Sequence, residues 1–244
     1  MKLLSLTGRN LKEGFRDPIV VILSVAQPVF YLVLFNSIAR SDPAAPDIFD
    51  LAYFIPGIIL FCFGLLTLFM GLLLARDRQR AFLTRLLVSP LRTIDFVLSY
   101  LLALIPMALF QVAACLITGL ILGLALNWGV LFSLIVFIPL AVSCTALGIV
   151  SGSLFSENAA PAIGSLFVVV ITFLGGVWMD LGILGGLFER IAYLLPFAHA
   201  VDAGRLLFQG ASLGEIGIQL AWVYGYGILF VFIGVASFRW KTRP

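Results

Sequence analysis

Residues 96–156 read FVLSYLLALIPMALFQVAACLITGLILGLALNWGVLFSLIVFIPLAVSCTALGIVSGSLFS, and between Asp95 and Glu157 there is no charged side chain. At ~1.5 Å of rise per helical residue, the run is about twice as long as one bilayer crossing requires. It therefore crosses, turns and crosses back. Asn127-Trp128-Gly129, near its middle, joins polar and turn-forming residues to an interfacial aromatic, dividing the run into two spans with a very short link. The fold class this dictates is an all-α polytopic membrane protein built of helical hairpins.

Composition agrees. Of 244 residues 62% are hydrophobic and 11% charged, with mean hydropathy +1.15, whereas about a quarter of a soluble domain is charged. A single membrane domain over 1–244 is expected. The net charge of +3 is small, and no basic nucleic-acid-binding surface is in view. Cys62, Cys115 and Cys144 lie in apolar stretches, which reads as buried small hydrophobes rather than disulfide or metal ligands. Arg9, Lys12, Glu13, Arg16 and Asp17 precede any long apolar run, so no cleavable signal peptide is expected.

Further charge-free windows bring the expected spans to six, at about 19–39, 51–75, 97–126, 130–154, 160–179 and 216–238. An even number puts both termini on one side. With the N-terminus cytoplasmic, the inside receives Lys2, Arg9, Lys12, Arg16, Arg76, Arg78, Arg80, Arg85, Arg92, Arg239, Lys241 and Arg243. The outside keeps only Arg40, Arg190 and Arg205. That asymmetry predicts cytoplasmic termini.

Three segments outside the spans carry a pattern. Over 3–16, Leu4, Leu11 and Phe15 share one helical face while Arg9, Lys12 and Arg16 share another, which describes a helix lying in the cytoplasmic interface, as an anchor, a docking element or both. The loop 76–95 sets Ala81-Phe82-Leu83 and Leu86-Leu87-Val88 among Arg78, Arg80 and Arg85 and ends at Ser89-Pro90, a short amphipathic helix or an arginine-rich topology determinant. Residues 181–208 are too charged to span and too apolar for a free loop, so two short helices, 187–195 and 197–208, broken at Pro196, are expected to re-enter the outer leaflet or tuck between the spans.

Reactive chemistry is sparse. The one histidine, His199, cannot by itself support hydrolytic or metal chemistry and reads as a structural residue. Gly210-Ala211-Ser212-Leu213-Gly214 matches a nucleophile elbow, yet it follows no expected strand; an intramembrane hydrolase would need Ser212 and His199 to meet. No lysine follows a glycine, so the phosphate-cradling loop is missing and no ATP or other cofactor site is expected in this chain. The spans carry no ionisable residue of the kind that handles ions or protons, which disfavours the alternative of an ion-gradient-driven secondary transporter or channel. They do hold Gln27-Pro28, Pro106, Gln111, Pro139 and the small-residue pairs Gly119/Gly123 and Gly148/Gly152, which suit kinking or close helix packing. A largely apolar surface of this kind suits an amphipathic or lipid-like cargo.

The order of these parts resembles the permease subunit of type 2 ABC exporters, the family of daunorubicin-resistance, nodulation-factor and polysaccharide export permeases. Arg9 to Pro18 with Gln27-Pro28-Val29-Phe30 resembles the family's interface helix and first span, and Tyr53 with Pro56-Gly57 the start of its second. Leu86-Leu87-Val88-Ser89-Pro90-Leu91 is similar to the end of its coupling helix. Pro196-Phe197-Ala198-His199, with Arg205 six residues on, is similar to its signature ahead of the last span. Where many members carry an acidic residue and a glycine early in the coupling segment, this chain has Arg78-Gln79-Arg80-Ala81.

The resemblance implies a dimer with a second copy or a paralogue, in a plasma or inner membrane. It also implies two copies of a separate ABC-type ATPase, which hold ATP and Mg and touch Arg9, Lys12, Phe15, Arg16, Phe82, Leu86, Leu87 and Pro90. Expected cargo is a drug, a lipid or a glycan-lipid leaving along the seam between permeases.

Overall fold

In the computed structural model, residues 2–16, 18–41, 49–79 and 93–242 are described. Eleven helices and no strand occur among them: α1 Lys2–Phe15, α2 Pro18–Ser41, α3 Leu51–Gln79, α4 Thr93–Leu122, α5 Trp128–Phe132, α6 Leu134–Leu154, α7 Ala160–Leu174, α8 Leu181–Leu184, α9 Gly186–Ala192, α10 Pro196–Phe208 and α11 Gly217–Thr242.

The central helix is α3, which packs against α2, α4, α6, α7 and α10. In its most apolar window 72% of residues are buried against protein, compared with 22% in α11. Phe54, Ile55, Ile58, Ile59, Leu60, Phe63, Leu66 and Met70 of α3 are inaccessible. On the periphery, Phe110, Ile117 and Ile121 of α4 and Ile218, Ile228 and Phe232 of α11 point outward. A soluble protein does not expose such an apolar belt, and a bilayer covers it at no cost.

Four helical stretches are long and apolar enough to cross a membrane: α3, α4, α5 with α6, and α11. A fifth is possible if α9 and α10, joined at 82°, count as one broken span. The chain is a multi-pass membrane protein, and among the described residues four to five crossings are counted against the expected six. The difference is clearest at α7, expected to run to residue 179, whose 15 helical residues reach ~22 Å, short of the ~30 Å hydrocarbon core. It stops at a glycine. The Gly176 amide donates to Phe173 O and the Val177 amide to Thr172 O, both at 3.1 Å, with Gly176 at φ +63°. This is the doubly bonded helix end that only a residue without Cβ enters freely.

Boundaries shift elsewhere too. α4 starts at Thr93 and ends at Leu122 instead of running 97–126, and a separate α5, capped by the Asn127 side chain on the Val130 amide at 2.9 Å, precedes α6. Near 181–208 the expected pair of helices is present as α9 and α10, with α8 before them and Pro196 opening α10.

Of the two small-residue pairs, Gly148 and Gly152 set the distance between α6 and α3. A Cβ on Gly148 would lie 2.5 Å from Thr67 O, and one on Gly152 2.5 Å from Gly71 O. Backbone cannot yield as a side-chain tip can, so Gly152→Ala should cost about 1–3 kcal/mol of overpacking. Thermal unfolding in detergent checks this; an unchanged midpoint would mean that α3 and α6 are not held so close. In the other pair, Gly123 ends α4 at φ +110° rather than packing a helix against it.

Candidate functional site

The helix α3 does not stop at Ala75, where its charge-free window ends; it runs on to Gln79 and carries Arg76, Asp77 and Arg78 with it. Consecutive helical residues point ~100° apart, so three in a row reach three different neighbours. Each one finds a partner.

Asp77 turns inward. Its side chain is 3% exposed and accepts both guanidinium nitrogens of Arg9 on α1 at 2.9 Å, with Arg9 30% exposed. The Tyr100 hydroxyl of α4 donates to the same carboxylate. Next to it, Asn10 Nδ2 donates to Ser99 Oγ at 3.1 Å, and Ser99 Oγ to Phe96 O at 2.6 Å. Burial works hardest against the Arg9 charge, but Asp77 and Tyr100 outweigh it and hold the Arg9 pKa above its ordinary value. A bidentate, nearly dry pair of this kind fixes orientation as well as distance.

Arg78 turns toward the end of α6, donating to Gly152 O at 2.8 Å, to Ser153 O and to Phe155 O at 3.3 Å. The last carbonyls of a helix lack intrahelical partners, and an arginine placed there satisfies them. Arg76 reaches Glu157, in the link before α7, at 3.2 Å. One turn of α3 thus grips α1, α4, α6 and the α6–α7 link, directly before residues 80–92. The junction ties the amphipathic helix to the span ends.

Among the expected ATPase-facing residues, Lys12, Phe15 and Arg16 stay exposed along α1 and its end, whereas Arg9 faces Asp77 instead. Phe82, Leu86, Leu87 and Pro90 lie outside the described residues. Asp77, Asn10, Ser99 and Tyr100 are missed by sequence reasoning; the only available signal was a single acid amid the arginines of 76–80.

At the opposite end, the motif residues Pro196, Phe197, His199 and Arg205 sit on α10. Pro196 and Phe197 are buried. His199 Nε2 lies 2.9 Å from Tyr193 O and its ring stacks on Trp222 at 4.8 Å. Arg205, 7% exposed, donates from Nε to Tyr53 O at 3.1 Å and from Nη2 to Gly176 O at 2.8 Å. Its guanidinium lies 3.6 Å from the centroid of the Tyr53 ring, and Nη1 approaches Asp202 at 3.4 Å. Tyr53 in turn donates to Asp180 at 3.2 Å, and Tyr193 to Asp202 at 2.7 Å. One planar cation ties α10 to the start of α3 and to the end of α7.

Ser212 does not meet His199. Its hydroxyl and amide donate to Glu215 at 2.7 and 3.2 Å, which holds the exposed Glu215 carboxyl below its ordinary pKa and closes the turn before α11. That arrangement ties a turn together and is not a nucleophile with its base.

With this geometry in place, comparison with known proteins is specific. Residues 1–208 match the ABC-2 type transporter family. The chain is 26% identical over 80 residues to nodulation protein J of Rhizobium meliloti, an alignment covering 33% of this chain and 30% of that protein. It is 25% identical over 205 residues to the transport permease ycf38 of Cyanophora paradoxa, covering 81% and 70% of the two chains. The ycf38 permease of Porphyra purpurea is 27% identical over 230 residues, covering 89% and 78%. The chain therefore belongs to the ABC-2 type transporter family, as a membrane transport permease.

Proposed function

We propose that this chain is the transmembrane subunit of an ATP-driven exporter in the plasma membrane of a prokaryote, moving an amphipathic or lipid-like molecule outward. In this reading it has six spans with cytoplasmic termini, pairs with a second permease, and works with two copies of a separate ABC-type ATPase that carries ATP and Mg. The chain itself is not an enzyme.

The observation that carries the proposal is the junction at Arg76, Asp77 and Arg78, set in a chain of a family whose permeases work with an ATPase subunit. A partner pushing on α1, or on the segment that follows Gln79, displaces α3, α4 and α6 as one body. Rigid-body transmission of that kind converts ATPase closure into span rearrangement. The exposed Lys12, Phe15 and Arg16, together with Phe82, Leu86, Leu87 and Pro90, make up the surface that the ATPase touches. The motif residues on α10 keep the outer links closed over the spans.

Vesicles containing the permease with its ATPase should export a fluorescent amphiphile on addition of ATP, and should do so without an ion gradient. Placing two carboxylates in the coupling segment by Leu86→Asp and Leu87→Asp should abolish ATP-driven flux while the protein still inserts. Unchanged flux from a well-expressed double variant would overturn the coupling assignment, and flux that needs an ion gradient but no ATP would overturn the exporter reading.

A further inference from the structure

Between the corner where α1 meets α2 and the walls of α3 and α4 lies a cavity of about 520 Å³. That volume falls within the ~300–1,000 Å³ of small-molecule sites. Its inner wall is hydrocarbon: Leu66, Met70 and Leu73 of α3 face Leu104 and Met107 of α4. Its rim is ionic, formed by Glu13, Arg16 and Arg76, while Asp77 on the same edge is already neutralised by Arg9. Polarity therefore runs from charged to apolar along the axis of α3, over about three turns from Arg76 to Leu66. A lipid in the leaflet on the α1 side has the same sequence of headgroup and tail.

We propose that this cavity binds a single-chain amphiphile with a phosphate in its head, its tail between α3 and α4 and its phosphate at Arg16. The apolar wall gains by taking hydrocarbon, since an empty cavity forfeits the contacts that a chain would make. A guanidinium matches phosphate geometry, and Glu13, three residues away on the same turn, suits an ammonium in the same head. The site lies inside one subunit, so the binding needs no second copy. Placing the ligand on the transport route rests on the exporter reading; the binding does not.

The test uses full-length permease in nanodiscs and lysophosphatidylethanolamine carrying a photoactivatable diazirine at its chain end. Expected labelling falls on peptides containing Leu66–Leu73 and Ala103–Met107. Filling the cavity by Ala103→Trp, or at its partly buried edge by Leu73→Trp, should reduce that labelling at least fivefold. Arg16→Gln, at the exposed rim, should remove the preference for this probe over the same chain on a neutral monoacylglycerol. Labelling confined to outward-facing positions such as Phe110, Ile117 and Phe232 would overturn the proposal. So would labelling that neither filling variant nor Arg16→Gln changes. Loss of ATP-driven transport with labelling intact would count against the exporter reading alone.

Discussion

Replacing Arg9 by methionine while Asp77 stays in place should destabilise the protein by about 3 kcal/mol, toward the lower end for breaking a buried ion pair because Arg9 is 30% exposed. The cost comes from Asp77, whose 3% exposed carboxylate loses both Arg9 donors and, among the described residues, keeps the Tyr100 hydroxyl. Removing both charges in Arg9→Met/Asp77→Leu should recover most of that loss, since a buried pair contributes little net stability over apolar residues of similar size. Transport should divide the two variants differently. If the pair acts as the strut between α1 and α3, the double variant regains thermal stability yet exports poorly. Thermal unfolding and ATP-driven flux measured on the same preparations separate these effects; a double variant that recovers both would show that the pair is structural only.

Arg205→Ala should cost at least as much, about 3–5 kcal/mol, because it leaves two backbone carbonyls and the Asp202 carboxylate at this nearly dry corner without the guanidinium donor. The Tyr53 and Gly176 carbonyls lose their donor, and the Tyr53 ring its cation. Arg205→Lys should restore less than half. A single ammonium cannot stack on Tyr53 and reach carbonyls of α3 and of the α7 end together. Release of α10 should appear first as faster proteolysis in the links 175–181 and 209–216. A lysine variant as stable as the parent would mean that charge alone holds this corner.

Much of this architecture is written in local pattern. The charge-free run 96–156 fixes two antiparallel spans, and Asn127 turns them by capping α5. The spacing of Leu4, Leu11 and Phe15 marks a helix over 3–16, and α1 spans Lys2–Phe15, although its buried face carries Leu6 and Asn10 and leaves Leu4 exposed. Pro196 opens α10 because the first turn of a helix has no use for its missing N–H. What hydropathy misjudges is where helices stop. A window ends at the first charge, yet α3 continues through Arg76, Asp77 and Arg78 because each has a partner there. The opposite error occurs at α7, where Val177 and Trp178 extend the apolar run although Gly175-Gly176 ends the helix.

The junction was illegible for a further reason. Arg9 and Asp77 stand 68 positions apart, and Asn10 and Ser99 89 apart. Nothing local distinguishes an arginine that pairs inward from one that faces a partner, so a helix over 3–16 could be read while the direction of its Arg9 could not. Arg205 shows the converse. Its place in the motif singled it out, but the clamp it forms depends on Tyr53 and Gly176 arriving from distant helices.

The central claim is that this permease is driven by a separate ATPase through the end of α3. Gentle purification of the chain from native membranes, with the stoichiometry of whatever accompanies it, tests that most directly. The expected result is an ABC-type ATPase in equal amount, lost or weakened when Arg9 and Asp77 are replaced together. A chain that purifies without any ATPase, and still transports by itself, would contradict the account.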